Sequence, residues 1–299
     1  MTFSETNDYN DIQLNPKSLK NVYFSDEAKV KQKVANILQD GANKLHIISD
    51  FDMTISKFWV NGDRNVGSHA VLTKTGIVSD KFKENEKALF EKYYPFEISQ
   101  TLSYEEKYQK MVEWWTLVHQ AFIDEKLTYQ AIKEGLDTFN MVYRDGSNDF
   151  FKLANQKGLP LIVFSAGLAD IIEILLQNKG YLNDNVHVVS NSMIFDTKEP
   201  KNIIDFKEPL IHVLSKGVIK FEGMKFYNEI ENRSNGLLLG DSLGDVCMKG
   251  GLNHNNLLTI GFLNYDVENL LPKYLDKFDV VIAADDSMEW VNDLLEKLN

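Results

Sequence analysis

In the stretch HIISDFDMTISKF (His46–Phe58) a strand-like run ends in Asp50 and Asp52, one residue apart, with Thr54 two positions on. In an extended segment residues i and i+2 face the same side. Both carboxylates can therefore address one ligand while Phe51 points away. Unpaired carboxylates repel one another, so a cluster of them calls for a cation. More groups of this kind stand further along: Ser165 in VFSAG, Lys216, and Asp241 and Asp245 in GDSLGD. Oxygen donors without a nearby His or Cys cluster favour Mg²⁺, which usually shares its shell with a substrate phosphate. The chemistry suggested is phosphate handling at a metal-bearing acidic cluster. Each piece alone has a plainer reading. Asp241 and Asp245 could be a turn and a cap, Ser165 could cap the following helix, and Lys216 could be solvated.

These residues need a scaffold. Ser25–Gly41 reads as a helix capped by Ser25 or Asp26, with Val30, Val34, Ile37 and Leu38 on its apolar face. HIIS is a short buried strand. Residues 57–80 read as a long connection. From Asp80 to about Tyr143 the pattern is helical, with Ser103 and Glu106 in capping-box spacing. Met111, Trp115, Val118 and Phe122 share one helical face. Asp149 can cap a helix that stops at Gly158. LPLIVF then runs as a strand into a small-residue turn, ADIIEILLQNKG is a helix, and VHVVSN, GLLLGDS, LLTIGFL and FDVVIAADD are strands. Alternating strands and helices imply an α/β fold with a mostly parallel sheet covered on both faces. Ligands of such sheets bind at the carboxyl ends of the strands, where Asp50, Asp52, Ser165 and Asp241 fall. The expected division is a core of 1–57 and 145–299 with a helical insert of 60–144.

The bulk properties narrow the function. A chain of 299 residues with 43% hydrophobic residues can bury a sizeable core, and its length suggests about two domains. A net charge of −12 argues against nucleic acid or an anionic membrane as the main partner. Residues 1–20 are polar and read as loose, with no pattern of a signal peptide. The one cysteine, Cys247, permits no internal disulfide and reads as a packed thiol on a helix. A soluble, cytoplasmic, monomeric protein is the expectation. GDSLGD lacks the spacing of a dinucleotide fingerprint.

DFDMT resembles the DxDxT signature of haloacid-dehalogenase-type phosphohydrolases, and Ser165, Lys216 and Asp241/Asp245 follow in the order of that superfamily's other motifs. More closely, ISDFDMTISKF, KYYPFEI, EEKYQKMVEWWT, VFSAG, VVSN, LIHV, LLLGDSLGD and IGFLN resemble the cytosolic 5′-nucleotidase III family over residues 20–299. That family comprises pyrimidine 5′-nucleotidases and 7-methylguanosine-phosphate-specific 5′-nucleotidases. The resemblance implies a Rossmann-like haloacid-dehalogenase core with a smaller inserted helical cap. It implies Mg²⁺-dependent hydrolysis of nucleoside 5′-monophosphates, CMP or UMP and/or 7-methyl-GMP, through an aspartyl-phosphate. Asp50 is then the nucleophile, and Asp52 the proton donor and later the base. Asp50, the backbone carbonyl of Asp52 and Asp241 hold the metal. Ser165, the Ala166 N–H and Lys216 hold phosphate, and Asp245 supports Lys216 or the metal shell. Glu97 recognises the base, and Trp114 and Trp115 are candidates to stack on it. One departure concerns Val118, where family members carry a serine that contacts base or sugar. Alternative readings are a phosphatase or phosphotransferase acting on another small phosphomonoester, and a non-catalytic nucleotide-binding scaffold. Intact Asp50 and Asp52 argue against the scaffold.

Overall fold

The structure is a computed structural model that describes residues 14, 19–99 and 101–299. Most of the polar segment 1–20 lies outside the described residues. A short strand β1 (Val22–Phe24) leads to helix α1 (Glu27–Asp40), where the Asp26 side chain caps the Lys29 N–H and Gly41 at φ 73° ends the helix. Strand β2 (Leu45–Ser49) is buried throughout. A small hairpin follows, β3 (Trp59–Val60) with β4 (Asp63–Arg64). Helices α2 (Asp80–Ile98), α3 (Tyr104–Glu125) and α4 (Tyr129–Asp137) come next. Then follow α5 (Ser147–Gln156), β5 (Leu161–Leu168), α6 (Ala169–Lys179) and β6 (Val186–Asn191). A second hairpin pairs β7 (Met193–Phe195) with β8 (Ile203–Phe206). The chain ends with α7 (Tyr227–Ile230), β9 (Asn235–Gly240), β10 (Asn256–Leu263), α8 (Val267–Leu275), β11 (Val280–Ala283) and α9 (Glu289–Glu296).

Seven strands form one sheet in the order β1-β11-β10-β9-β2-β5-β6. Only β1 runs antiparallel, against β11; the other pairings are parallel. The strands alternate between two apolar layers, as their period of two requires. Ile47, Leu237, Leu239 and Ile282 join the layer containing α1, α5, α6 and α9. Ile48, Leu238 and Val281 join the opposite layer with Phe221, Phe226, Ile230 and Tyr274. Cover on both faces explains why these strands read as continuous apolar runs. The chain leaves β2 towards β5 and β6 on one side and returns as β9, β10 and β11 on the other. The carboxyl end of β2 is thus the point where strand order reverses, the place where open α/β sheets bind ligands.

Helices α2 and α3 pack side by side, Phe82 edge-on to Phe122 and Tyr93 stacked on Trp114. Ser103 and Glu106 form the expected capping box, and Met111, Trp115, Val118 and Phe122 are all buried. The β7–β8 hairpin reaches across to this helical group. Phe206 stacks on His119 at 3.8 Å, and Ile203 N–H donates to Leu127 O at 2.9 Å.

Four local expectations are corrected. Residues 57–80 carry the β3–β4 hairpin and a 3₁₀ turn at Val71–Lys74. Helix α4 ends at Asp137, short of Tyr143. Gly146 at φ 85°, not Asp149, stands at the N-cap of α5, and Asp149 lies within its first turn. Cys247 is exposed on a three-residue 3₁₀ turn rather than packed on a helix. No helix among the described residues is long and apolar enough to cross a membrane.

Candidate active site

The segment after β2 is fixed by backbone contacts before any ligand is considered. Asp50 N–H donates to Leu239 O at 2.9 Å, extending the pairing of β2 with β9. Met53 then takes φ 61°, a left-handed conformation that is unfavourable for a side chain with a Cβ. Its neighbours hold it there. Ser56 Oγ accepts from Met53 N–H at 2.8 Å, and buried Arg144 donates to the carbonyls of Met53 at 2.5 Å and Thr54 at 2.6 Å. Asn264 donates to the same Met53 carbonyl, and Asp285 pairs with Arg144 at 3.2 Å.

This turn sets the acids. Lys216 lies between Asp50 Oδ1 and Asp245 Oδ1, 2.9 Å from each. Asp50, Asp241 and Asp245 offer oxygens that all lie within 4.8 Å of one another. Thr54 Oγ1 donates to Asp241 at 3.4 Å, and Asp245 Oδ2 accepts from Ser242 N–H at 2.9 Å. Burial raises Asp50 to about 7, opposed by Lys216 and reinforced by Asp245. Burial, then Asp245 and Asp50, push Asp241 well above the usual carboxylate range. Lys216 is raised although burial opposes it, because Asp245 and Asp50 flank its ammonium. Buried Asp50 and Asp245 and half-buried Asp241 converge beside one buried ammonium, Lys216, so the cluster holds more acid than cation. An oxygen-only donor set with that deficit fits a hard divalent cation.

Asp52 is placed differently. Its carboxylate accepts from Ser68 N–H and Ser68 Oγ–H, both at 2.7 Å. Burial raises it, with His69 and Ser68 pulling the other way. Ser165 is buried and its Oγ accepts from Gly167 N–H at 3.1 Å; it does not cap α6, whose N-cap is Leu168. Strand β5 runs on to Leu168 with a register break after Phe164, so the expected small-residue turn is a bulge inside the strand.

Asp50, Asp52, Ser165, Ala166, Lys216, Asp241 and Asp245 line one cavity of about 320 Å³, which Glu97, Trp114 and Trp115 also line. The sequence-predicted residues are therefore brought together, Val118 excepted. Val118 is buried behind the tryptophans and faces a smaller void beside His119. Several lining residues escaped the sequence reading. Phe90 and Tyr94 stack at 4.8 Å, and the Arg64 guanidinium lies 5.4 Å from the Tyr94 ring. His69 and Gly67 come from the supposed connection. Tyr94 had a signal in the YYP stretch, one helical turn from Phe90 and close to Glu97. Arg64 and His69 had none.

A model of the family described as pyrimidine 5′-nucleotidase (UMPH-1) matches residues 53–299. The chain belongs to this family. It is 37% identical over 276 residues to 7-methylguanosine phosphate-specific 5′-nucleotidase A of Xenopus laevis, covering 92% of this chain and 94% of that one. The human 7-methylguanosine phosphate-specific 5′-nucleotidase is 35% identical over 278 residues, covering 93% and 92%. Among solved structures, cytosolic 5′-nucleotidase IIIB bound to cytidine superposes with a TM-score of 0.85 at 29% identity, covering 94% of this chain and 95% of that one. A probable phosphoserine phosphatase from Vibrio cholerae shares the fold alone, with a TM-score of 0.52 at 14% identity, covering 91% of this chain and 72% of that one. This UMPH-1 family member thus has the haloacid-dehalogenase-like α/β fold. Fold and acidic cluster together imply a divalent metal.

Proposed function

We propose that the chain is a Mg²⁺-dependent 5′-nucleotidase that hydrolyses nucleoside 5′-monophosphates, with 7-methyl-GMP the better substrate and CMP accepted. The observation that carries the reading is one cavity with an acidic, lysine-paired floor and an aromatic wall that includes Glu97. The core strands supply the floor, and α2 and α3 act as the cap. Asp50, the Asp52 carbonyl and Asp241 would hold Mg²⁺, which supplies charge neutralisation for the phosphate and its approach to a carboxylate. Lys216 favours the ionised form of Asp50 against the effect of burial and faces the phosphate. Asp50 attacks phosphorus, forming an acyl phosphate as the bond to the 5′-oxygen breaks. Asp52 donates a proton to that oxygen and then takes one from the water that hydrolyses the acyl phosphate. Ser165 and the Ala166 N–H contact phosphate oxygens.

The base sits among Phe90, Tyr94 and Trp114, whose electron-rich faces favour a cationic ring. Glu97 offers acceptors only, suited to guanine N1–H and N2–H or to the cytosine amine. The relatives' names support both bases. One cysteine and a relative named cytosolic support a cytoplasmic setting. Phosphate release from CMP, UMP, AMP, GMP and 7-methyl-GMP, with and without EDTA, tests the reading. Metal-dependent release led by 7-methyl-GMP supports it, and no release from any nucleotide refutes it.

Glu97 should also give a pH signature. Burial raises its carboxyl to about 6, although Arg64, His69 and Lys107 lie near enough to oppose this. The carboxylate form is present above that value and lost below it. KM for 7-methyl-GMP should therefore rise as pH falls through 6, beyond the change due to the phosphate's own titration near pH 6. Glu97→Gln should keep only the phosphate's dependence, with KM at pH 7.5 raised roughly 10- to 100-fold, the worth of a hydrogen bond to a charged group. KM profiles for both proteins between pH 5 and 8 decide it. Parallel profiles would remove Glu97 from base recognition.

A further inference from the structure

The phosphate-binding residues sit where the sheet does not fix them. β5 pairs with β6 in register up to Phe164 and resumes only at Leu168 opposite Asn191, so residues 165–167 bulge out of the ladder. Bulged residues leave backbone groups that side chains must satisfy. From the core, buried Asn191 donates Nδ2 to the carbonyls of Ala166 at 2.9 Å, Gly167 at 3.1 Å and Ile211 at 2.7 Å, and its Oδ1 accepts from Ile211 N–H. Trp115 Nε1–H donates to the same Ala166 carbonyl at 2.9 Å. Trp115 belongs to α3, 51 residues away in sequence, and is only 9% exposed. The bulge has little freedom elsewhere, since a Cβ on Gly167 would lie 1.9 Å from Ser68 Oγ.

Helix α3 also meets the loop carrying Lys216. Tyr104 OH donates to Leu214 O at 2.8 Å, and Tyr108 packs edge-on to His212 at 4.7 Å. One helix is therefore fastened to two loops that face the phosphate, while Trp114 and Trp115 line the cavity beside Glu97. Resting on the nucleotidase reading, we propose that Trp115 is a positioning residue. Its indole N–H ties the bulge 165–167 to the helix that lines the base site, so that cap placement sets the geometry of the phosphate-binding turn. Base stacking is a separate role that the ring face could play, and the two make different demands.

Trp115→Phe separates them because it keeps an aromatic ring and removes the N–H. Losing one neutral hydrogen bond of ordinary worth corresponds to about a tenfold effect. A positioning role predicts that kcat/KM falls about tenfold for 7-methyl-GMP and equally for p-nitrophenyl phosphate, which has no base. The inhibition constant of inorganic phosphate should rise by the same factor, and that of the free nucleoside should stay within twofold. If only the nucleotide KM and nucleoside inhibition change, Trp115 is a stacker and the proposal is wrong. A lowered Tm with phosphate inhibition unchanged would show a merely structural role and overturn it equally. The phosphate and p-nitrophenyl arms contain no base. They report on the latch even where no nucleotide is hydrolysed.

Discussion

Asp50→Asn should reduce kcat by about 10⁴-fold or more, the scale seen when a nucleophile is removed and only binding and charge stabilisation remain. Asparagine preserves the shape of the side chain, the backbone bond from residue 50 to Leu239 O and the turn clamped by Arg144. It cannot form an acyl phosphate. The fold should survive the change. In metal-free protein oxygens of Asp50, Asp241 and Asp245 lie within 4.8 Å of one another, and Lys216 pairs with Asp50 and Asp245, so one charge fewer relieves repulsion. Tm in EDTA should be unchanged or higher than that of the parent. Phosphate release and calorimetry on the same preparation check both halves. Full turnover would remove Asp50 from its role, and a collapsed Tm would make any loss of activity uninformative about chemistry.

The parts of the site that were legible in the sequence are those carried by strand ends. DFDMT and GDSLGD follow apolar runs whose length and flanks mark buried strands, and parallel pairing delivers their carboxyl ends to one edge. Gly240 shows how local this coding is. A Cβ there would lie 2.3 Å from the Cβ of Asp245, so the glycine in GDSLGD makes room for the acid five residues on. The order of the helices was legible for the same reason, since caps such as Asp26 and the Ser103–Glu106 box act within one turn. What stayed hidden depends on tertiary placement. Ser68 grips Asp52 from 16 residues away, and Arg64 and His69 reach the cavity from a segment without periodicity. The Trp115 bond to Ala166 has no local signature either, because a helical tryptophan reads as core whichever way its N–H points. Asp149 looked like a cap by residue type, but Gly146, free to adopt φ 85°, takes the position. Cys247 looked packed by type, and the short turn that carries it leaves it exposed.

Lys216→Met should be the most destabilising single change at the site. Its side chain is 3% exposed, and its partners Asp50 and Asp245 are 10% and 1% exposed. Methionine fills a similar volume, so packing is largely kept, and the cost arises from two carboxylates left without their cation. Removing one member of a buried ion pair typically costs about 3–5 kcal/mol. At roughly 2–4 °C per kcal/mol for large domains, Tm in EDTA should fall by on the order of 10 °C. The cause can be isolated with a second change. If the deficit is uncompensated charge, Lys216→Met/Asp245→Asn should recover part of the loss, giving a coupling well outside the additivity expected of independent sites. If it is lost packing, the second substitution adds its own cost, because Asp245 Oδ2 also holds the Ser242 N–H. Saturating Mg²⁺ offers an independent check. A cation bound to the native state stabilises it by mass action, about 2.7 kcal/mol at 100 times Kd, and it supplies the positive charge that the variant lacks. Mg²⁺ should therefore raise the Tm of Lys216→Met more than that of the parent. Equal shifts in the two proteins would mean that the ammonium and the metal do not share the same carboxylates, and the assignment of Asp50 to both would fail.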